Sequence, residues 1–207
     1  MTRISILDTK SANFHSVKKA VDLYEKDNII TSSKKEILRS EALIIPGVSS
    51  TDTVLNNIYN ANLEKIILEF YQSERPILCI CVGMQILFEN SEEGVLPGLG
   101  IIEGEVKKIP SKDNKNKKYK IPHMGWNEID FSTNSKIFDG IKNDSEFYFV
   151  HSYATFNSIN QASITNHGRD FVSSVYKDNI FAVQFHPEKS QHDGLKIYKN
   201  FISWEGG

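Results

Sequence analysis

A strand-like run that ends in a cysteine is the feature that most constrains this chain. The apolar residues 77–80 are typical of a buried strand, and Cys81 follows them directly, with Gly83 two residues later and a helix-permissive stretch at 84–89. Strand, sharp turn, reactive side chain and helix is the order of a nucleophile elbow. A glycine at this position omits the Cβ that would press on neighbouring backbone. The helix dipole would favour the thiolate form, so the segment predicts that Cys81 is a nucleophile.

A simpler interpretation of the same segment stays open at this point. Cys79 and Cys81 would then be small buried residues of a central strand, since free cysteine is among the most buried residue types. Two cysteines separated by one residue form no disulfide framework and are poorly placed to bridge each other. We therefore expect free thiols and a cytoplasmic protein in a reducing compartment.

Length and composition limit the classes of protein that remain. A chain of 207 residues suits a single domain, 1–207, with one core. The formal net charge is −2, which argues against nucleic acid or an anionic membrane as partner. The first residues lack the long apolar core of a signal peptide. No apolar run approaches the roughly 18 residues of a membrane-spanning helix.

Strand and helix patterns alternate through the first half of the chain. Apolar runs predict strands at 3–7, 28–31, 42–45 and 77–80, helical spacing predicts helices at 16–24 and 63–70, and 34–39 is interpreted as a short helix or a turn. The continuous apolar run 42–45 is expected of a parallel strand that is covered on both faces, and a turn is predicted at Pro46-Gly47. This rhythm indicates an α/β fold with a doubly wound, mostly parallel central sheet, flanking helices and ligands at the carboxyl ends of the strands.

The second half has a different pattern. It predicts strands at 100–109, 126–131 and 146–153, then a hairpin of 171–175 with 180–185, and a final amphipathic helix marked by Leu195, Tyr198, Phe201 and Ile202. We therefore expect antiparallel strands in this half. Five lysines occupy the loop Lys112–Lys120, which we interpret as solvated. The alternative is a basic patch that steers a phosphorylated ligand.

A second chemical motif, His186-Pro187-Glu188, follows the last predicted strand. Residues two apart in extended chain point the same way, so the imidazole and the carboxylate can lie on one side. His186 could then take the proton of the Cys81 thiol while Glu188 fixes the imidazole tautomer, as in covalent hydrolases. An oxyanion hole would need backbone N–H donors, for which the candidates are Val82 and the turn 46–49. An ordinary turn at the end of a strand is the alternative for 46–49.

The other histidines carry a weaker signal. His15, His167 and His192 lie in polar or helical contexts and are predicted to be surface residues. His123 and His151 lie in richer surroundings, but neither has the spacing of a metal ligand. Cys79-Ile80-Cys81 also lacks a second cysteine pair, so we expect no metal site.

Several motifs together resemble a known family. Cys81-Val82-Gly83-Met84-Gln85 with the His-Pro-Glu motif resembles the class I (triad) glutamine amidotransferases. The stretches 121–127, 148–153 and 183–190, with Leu7-Asp8-Thr9 and Asn13, are similar to the glutaminase subunits of imidazole glycerol phosphate synthases, from histidine biosynthesis. The likeness runs from about residue 4 to residue 203.

This resemblance implies a reaction and a set of site residues. Cys81 would attack the glutamine side-chain amide to give a γ-glutamyl thioester and ammonia, with His186 as base and Glu188 as orienter and with no cofactor. The implied oxyanion hole is Gly47, Val48 and Val82. The implied substrate-binding residues are Gln85, Glu93, Gly47, His151 and Ser152.

It also implies a partner. Ammonia would pass through a separate (β/α)8-barrel cyclase subunit, in a heterodimer, and be used to make imidazole glycerol phosphate and an aminoimidazole carboxamide ribotide. The residues implied at or near the partner face are His123, Met124, Trp126, Asn127, Tyr148 and Lys189.

The chain departs from the family pattern at a few positions. Cys79 and Ser49 each replace a glycine, and Lys10, Ser11 and Ala12 fill a loop that often contains glycines. We expect tuned rather than lost activity, because Cys79 and Ser49 are small. Other hypotheses are an amidotransferase for a different acceptor, such as a sugar, a catalytically silent binding subunit, and a redox role for the two cysteines.

Overall fold

The computed structural model describes residues 4–10, 13–131 and 135–206. In chain order its elements are β1 (Ile4–Leu7), α1 (Phe14–Val21), β2 (Asn28–Thr31), α2 (Lys34–Arg39), β3 (Ala42–Gly47), α3 (Thr51–Asn60), α4 (Glu64–Gln72), β4 (Ile77–Cys81), α5 (Val82–Gln85), β5 (Asn90–Ser91), β6 (Glu105–Lys108), β7 (His123–Glu128), β8 (Asp130–Phe131), β9 (Glu146–His151), β10 (Tyr153–Ala154), β11 (Gln161–Asn166), β12 (Asp170–Lys177), β13 (Ile180–Val183) and α6 (Gln191–Ile202). Two short 3-10 turns lie at Lys136–Phe138 and Pro187–Lys189.

An eight-stranded sheet forms the centre, in the order β2-β1-β3-β4-β13-β12-β11-β8. The first five strands in that order are parallel, and the last three join antiparallel. The prediction of a doubly wound, mostly parallel sheet with antiparallel strands in the second half is therefore confirmed. The carboxyl ends of β3, β4 and β13 meet at one edge, which is where such sheets place their ligands.

Aliphatic side chains on β3 and β4 form the middle of the core. Every residue of both strands is buried, as the unbroken apolar runs predicted. Burying one isoleucine or leucine side chain contributes about 1.5–3 kcal/mol, so these two strands hold the centre of the sheet firmly in register. Two smaller sheets, β10-β6-β5 and β7-β9, lie outside the main one.

Some predicted boundaries were wrong. Pro46-Gly47 is not a turn but the end of β3, where Gly47 pairs with Cys81. The helix predicted at 84–89 stops at Gln85, because the next carbonyl groups accept from a loop instead: Leu99 N–H donates to Ile86 O, and Gly98 N–H donates to Glu89 O.

The predicted strands 126–131 and 146–153 each divide in two. β7 pairs with β9, whereas β8 joins the main sheet and β10 joins β6. Helix α3 and strand β11 were missed. The signal for α3 was a serine cap, since the Ser50 side chain accepts from Thr53 N–H, followed by buried Val54, Leu55 and Ile58. Arg3, Ser11 and Ala12, named in the sequence predictions, lie outside the described residues.

None of the helices in the described part of the chain combines the length and the apolar character needed to cross a bilayer.

Candidate active site

Cys81 lies where β4 ends and α5 begins, and its backbone is strained. Its φ and ψ angles are 55° and −111°, a region that residues with a side chain rarely adopt. Such a conformation costs on the order of 1–3 kcal/mol and persists only where the surrounding structure enforces it. Strand, tight turn and helix follow one another here as the sequence predicted, so the elbow geometry is confirmed.

Two glycines make room for this turn. A Cβ added at Gly83 would lie 1.9 Å from the carbonyl oxygen of Ile45, and one added at Gly47 would lie 2.9 Å from the Cβ of Val82. The first distance is far below van der Waals contact and involves backbone, which cannot move aside cheaply. The predicted crowding at Gly83 is confirmed, and α5 owes its close approach to β3 to these glycines.

His186 follows β13, the strand beside β4, and is held at both ends. Its Nδ1 lies 2.8 Å from Oε1 of Glu188, and both side chains are only 1% exposed. Its backbone N–H donates to Tyr148 O at 2.9 Å, and Ser190 Oγ donates to its carbonyl at 2.6 Å. These contacts leave the imidazole little freedom to turn.

The charges around His186 favour its protonated form. Burial lowers the pKa of His186, but the Cys81 sulfur and the Glu188 carboxylate outweigh burial and raise it to about 10. His186 Nε2 has no hydrogen-bond partner among the described residues. Protonated His186 therefore offers a free N–H beside Cys81, as a cysteine–histidine ion pair requires.

A cavity of about 280 Å³ opens at this edge of the sheet. Its lining combines the nucleophile, the imidazole and several polar side chains: Val48, Ser49, Cys81, Val82, Gln85, Glu93, Pro122, Val150, His151, Ser152, Tyr153 and His186. The volume suits a small polar metabolite of amino-acid size.

A pair of glutamines reaches the nucleophile from behind. Gln85 Nε2 donates to Tyr153 O at 3.0 Å and to Gln184 Oε1 at 2.9 Å. Because the Tyr153 carbonyl can only accept, the NH₂ group of Gln85 must face it, and this orientation leaves Gln184 Nε2 to donate to Cys81 Sγ at 3.6 Å. Gln184 therefore presents a hydrogen-bond donor that stabilises negative charge on the sulfur.

Two buried histidines build the far wall of the cavity, which His151 lines and His123 supports from behind. His123 lies opposite His151 in the β7–β9 pair, and its Nδ1 lies 2.9 Å from His151 Nε2. Asn127 Nδ2 lies 3.1 Å from His123 Nε2, and His151 Nδ1 lies 2.8 Å from Tyr153 O. One pair of tautomers satisfies every contact, with each Nδ1–H donating and each Nε2 accepting.

Both histidines of this pair are neutral at physiological pH. Burial is the main reason that the pKa of His123 falls to about 3 and that of His151 to about 4. Neither ring is then a cation near pH 7, and each is a weak proton acceptor. They fix the shape of the wall through hydrogen bonds.

The site matches a known family in sequence. The family model described as "Glutamine amidotransferase class-I" matches residues 6–204. The chain belongs to the class I glutamine amidotransferase family. The elbow cysteine, the His-Glu pair and the cavity between them are thus the features of a glutamine-dependent enzyme.

Full-length relatives narrow the family further. The subunit HisH of imidazole glycerol phosphate synthase from Methanocaldococcus jannaschii is 46% identical over 202 residues, which cover 96% of this chain and 98% of that protein. The subunit of the same name from Nitrosospira multiformis is 39% identical over 211 residues, with 99% of each chain covered. This amidotransferase belongs with the HisH subunits.

Solved structures agree on the fold. A protein from Thermoplasma acidophilum described as belonging to a GMP synthase superposes with a TM-score of 0.73 at 22% sequence identity, covering 98% of this chain and 93% of that one. At that identity the likeness concerns the α/β fold alone.

The predicted site residues of this amidotransferase are mostly brought together. Cys81, Val48, Val82, Gln85, Glu93, His151, Ser152 and His186 all line the cavity, and Glu188 lies behind His186. Gly47 does not line it, because it is buried in β3 beside Val82. Glu93 already accepts from Thr51 N–H at 2.8 Å through one carboxylate oxygen. Sequence reasoning missed Gln184, although its place two residues before His186 on extended chain was a usable signal.

Most of the predicted partner residues share one exposed face next to the cavity. Met124 is 60% exposed and Trp126 is 43% exposed on β7. The Trp126 and Tyr148 rings lie 6.2 Å apart, and Lys189 Nζ lies 5.7 Å from the Tyr148 ring centre. Asn127 is half-buried at the edge of this face, which we call the Trp126 face (Met124, Trp126, Tyr148 and Lys189). His123 is an exception: it is 3% exposed, so it supports the face from beneath.

Exposure tests the predictions for the other histidines and for the lysine loop. His15 and His192 are exposed, as predicted, and the Lys112–Lys120 loop is solvated. His167 is not a simple surface residue, because its ring stacks on His123 at 4.1 Å and its Nε2 contacts Lys120 O at 2.9 Å. Within the described ranges, no group of three or more His, Cys, Asp or Glu could hold a metal ion.

Proposed function

We propose that Cys81, His186 and Glu188 hydrolyse glutamine in the cavity and that the ammonia is passed to a separate cyclase subunit. The observation that carries this proposal is the His186–Glu188 pair, 2.8 Å apart and buried, at the same cavity as the strained Cys81. Two free thiols also suit a reducing cytosol.

The first half of the reaction forms a thioester. The Cys81 thiolate attacks the side-chain amide carbon of glutamine, and the carbonyl π electrons move to oxygen. Backbone N–H groups of Val82 and of the 47–49 segment are the proposed donors to this oxyanion. His186 then gives its proton to the amide nitrogen, the C–N bond breaks, and ammonia leaves a γ-glutamyl thioester on Cys81.

The second half releases glutamate. Neutral His186 takes a proton from a water molecule as its oxygen attacks the thioester carbon, and the C–S bond breaks to restore the thiolate. Glu188 keeps the imidazole in the tautomer that presents Nε2 to both steps. Gln184 would stabilise the thiolate at the beginning and end of the cycle.

The cavity wall supplies recognition of the amino acid part of glutamine. We assign the substrate amino group to the free carboxylate oxygen of Glu93, and polar contacts to Gln85, His151 and Ser152, which line the same cavity. The neutral state of the two wall histidines avoids repulsion of a substrate ammonium group.

The partner is proposed from the relatives and from one surface. Both relatives are named as subunits of an imidazole glycerol phosphate synthase, so the acceptor site would lie on the (β/α)8 barrel of a cyclase, with which this chain would form a heterodimer. There the ammonia would help to form imidazole glycerol phosphate and an aminoimidazole carboxamide ribotide. The Trp126 face, with exposed aromatic and methionine side chains next to the cavity, has the composition of an interface core.

The test is glutamine hydrolysis by the purified chain, alone and with the cyclase subunit plus its bisphosphorylated ligand. Strong stimulation in the complex supports both the triad and the partner. Appreciable activity that the cyclase leaves unchanged keeps the triad but overturns the assigned acceptor. Silence in a confirmed complex overturns the triad assignment.

A further inference from the structure

The carboxylate of Glu188 has one oxygen that the triad does not use. Oε1 bonds to His186 Nδ1, whereas Oε2 is buried and meets no hydrogen-bond partner by strict geometry among the described residues. A buried carboxylate oxygen without a donor is costly, on the order of 1–3 kcal/mol or more. Some group should therefore supply a donor at this position.

Helix α6 packs unusually closely against the turn that carries Glu188. A Cβ added at Gly194 would lie 2.0 Å from the carbonyl oxygen of Pro187, so this glycine lets the helix touch the turn. Tyr198 lies four residues later, on the same face of the helix. It is 0% exposed.

The Tyr198 hydroxyl is a buried donor that could complement Oε2 of Glu188. It too is buried and meets no partner by strict geometry among the described residues. Burial, followed by the charge of Glu188 and contact with its carboxylate, raises the pKa of Tyr198 well above its usual range. The phenol therefore stays protonated at any working pH and can only act as a neutral donor toward that carboxylate.

We propose that Tyr198 is a positioning residue of the triad, whose hydroxyl donates to Oε2 of Glu188 while His186 Nδ1 donates to Oε1. This inference rests on the proposed function, because it assigns Tyr198 a role through the catalytic pair. With both oxygens bonded, the buried carboxylate keeps its charge and a single rotamer, and it presents Oε1 to the imidazole in one direction.

Neighbouring charges do not compete for this role. On α6, Lys196 bonds to Asp193 at 2.9 Å, and Asp193 also accepts from Ser145 at 2.8 Å. From the other side, the groups that act on His186 are Cys81 and Glu188, and His151 is neutral. Tyr198 is thus the donor that this packing brings to Oε2.

The experiment compares Tyr198→Phe with wild type through the pH dependence of two reactions. The first is alkylation of Cys81 by iodoacetamide, which needs neither glutamine nor a partner. The second is glutaminase activity of the complex. Tyr71→Phe is the matched control, because it removes a tyrosine hydroxyl that also bonds to a carboxylate, Asp178 at 2.5 Å, at the end of β4 opposite Cys81.

We expect Tyr198→Phe to lower kcat/KM by about tenfold through kcat, with KM for glutamine changed less than about twofold. The acid limb of both pH profiles should move up by about one pH unit, since the carboxylate holds its charge less well. Tyr71→Phe should change neither profile. Superimposable profiles for Tyr198→Phe and wild type would overturn the proposal.

The two proposals fail in distinguishable ways. If the complex never hydrolyses glutamine, the proposed function fails, but the alkylation profile still reports whether Tyr198 acts on the Cys81–His186 pair. If hydrolysis occurs and only the Tyr198→Phe shift is missing, the triad stands and the role of Tyr198 is refuted. A melting temperature close to wild type separates either outcome from misfolding.

Discussion

The two walls of the cavity are built in different ways. The elbow wall (Val48, Ser49, Cys81 and Val82) follows buried parallel strands. Its geometry is enforced by backbone contact, since a Cβ added at Gly83 would lie only 1.9 Å from the carbonyl oxygen of Ile45. The hairpin wall (Pro122, Val150, His151 and Ser152) lies on and around the β7–β9 pair and is held by a chain of hydrogen bonds through His123 and Asn127.

This difference separates two requirements of one reaction. The nucleophile must be presented in a strained conformation, and steric contact with a rigid sheet can impose that strain. The opposite wall must hold polar side chains that recognise a substrate, and hydrogen bonds fix their orientation while they stay neutral. His186 connects the two walls, because it follows a strand of the main sheet and its backbone N–H donates to the carbonyl oxygen of Tyr148 on β9.

Replacing the nucleophile should give the largest effect. Cys81→Ala should lower glutamine-dependent activity of the complex by at least about a thousandfold, because no other group can form the thioester. Ammonia-dependent synthesis by the complex should survive. Cys81→Gly should be equally inactive but about 1 kcal/mol more stable than Cys81→Ala in urea unfolding, because glycine adopts a positive φ without strain.

Two results would contradict that expectation. Residual thioester chemistry in Cys81→Ala would mean that a different residue is the nucleophile. Equal stability of the alanine and glycine variants would mean that the elbow is not strained, and the steric account of the elbow wall would be wrong.

Filling the gap behind the elbow should nearly abolish folding. Gly83→Ala places a methyl group where only 1.9 Å separates it from Ile45 O, so we expect a loss of about 3 kcal/mol or more in the free energy of unfolding. Gly140→Ala is the control, because its φ is +71° with nothing within 4 Å and it should cost only about 1 kcal/mol. Chemical denaturation of both variants decides the comparison, and equal losses would mean that the contact with Ile45 relaxes easily and that the steric account of the elbow wall is wrong.

Acid should lower the free energy of unfolding through the two histidines of the hairpin wall. In the unfolded chain both wall histidines titrate near pH 6.5, whereas burial lowers the pKa to about 3 for His123 and about 4 for His151. Below pH 6.5 the unfolded chain therefore binds protons that the folded chain does not, and stability falls as pH falls. We expect a loss of about 4 kcal/mol from the pair between pH 7 and pH 5, about 2 kcal/mol for each histidine.

Variants separate this effect from other titrations. His123→Gln does not titrate, so the loss of stability between pH 7 and pH 5 should shrink by roughly half. His15→Gln, at an exposed position, should leave it unchanged. His186 does not affect this comparison, because its pKa is raised to about 10 and its contribution, which falls only as pH rises above 6.5, is the same in wild type and in the variant. An unchanged loss in His123→Gln would disprove the account.

The elements of the elbow wall could be predicted because their signals are local. The run 77–80, the cysteine and Gly83 stand next to one another in the chain, and the strands around them show unbroken apolar patterns. The α3 helix was predictable in the same way from Ser50 and the spacing of its buried side chains, and was overlooked.

The hairpin wall could not be predicted to the same depth, because its contacts depend on register. His123 and His151 become neighbours only through the antiparallel pairing of β7 with β9, and the chain changes sheets at Ile129 and Ser152, where the local pattern continues unbroken. Tyr198 was one of the residues from which the final amphipathic helix was predicted, and its side chain is buried. The proposed role of its hydroxyl depends on the close contact between Gly194 and Pro187, which cannot be predicted from the spacing of apolar residues in the sequence.

The smallest effect should come from the second cysteine of the elbow strand. Cys79 lies inside β4, opposite Ile45 and Ala182, and its backbone φ is not positive, so the substitution of a family glycine by Cys79 places no strain on the turn. Burial raises the pKa of the Cys79 thiol far above its usual range. Cys79→Ala should therefore cost only about 1 kcal/mol of stability and change glutaminase activity by less than about twofold.

Native wild type and Cys79→Ala should each take up one equivalent of iodoacetamide, at Cys81, whereas Cys81→Ala should take up none. Loss of labelling in Cys79→Ala would mean that Cys79, and not Cys81, is the reactive thiol. It would also reopen the redox hypothesis for the pair.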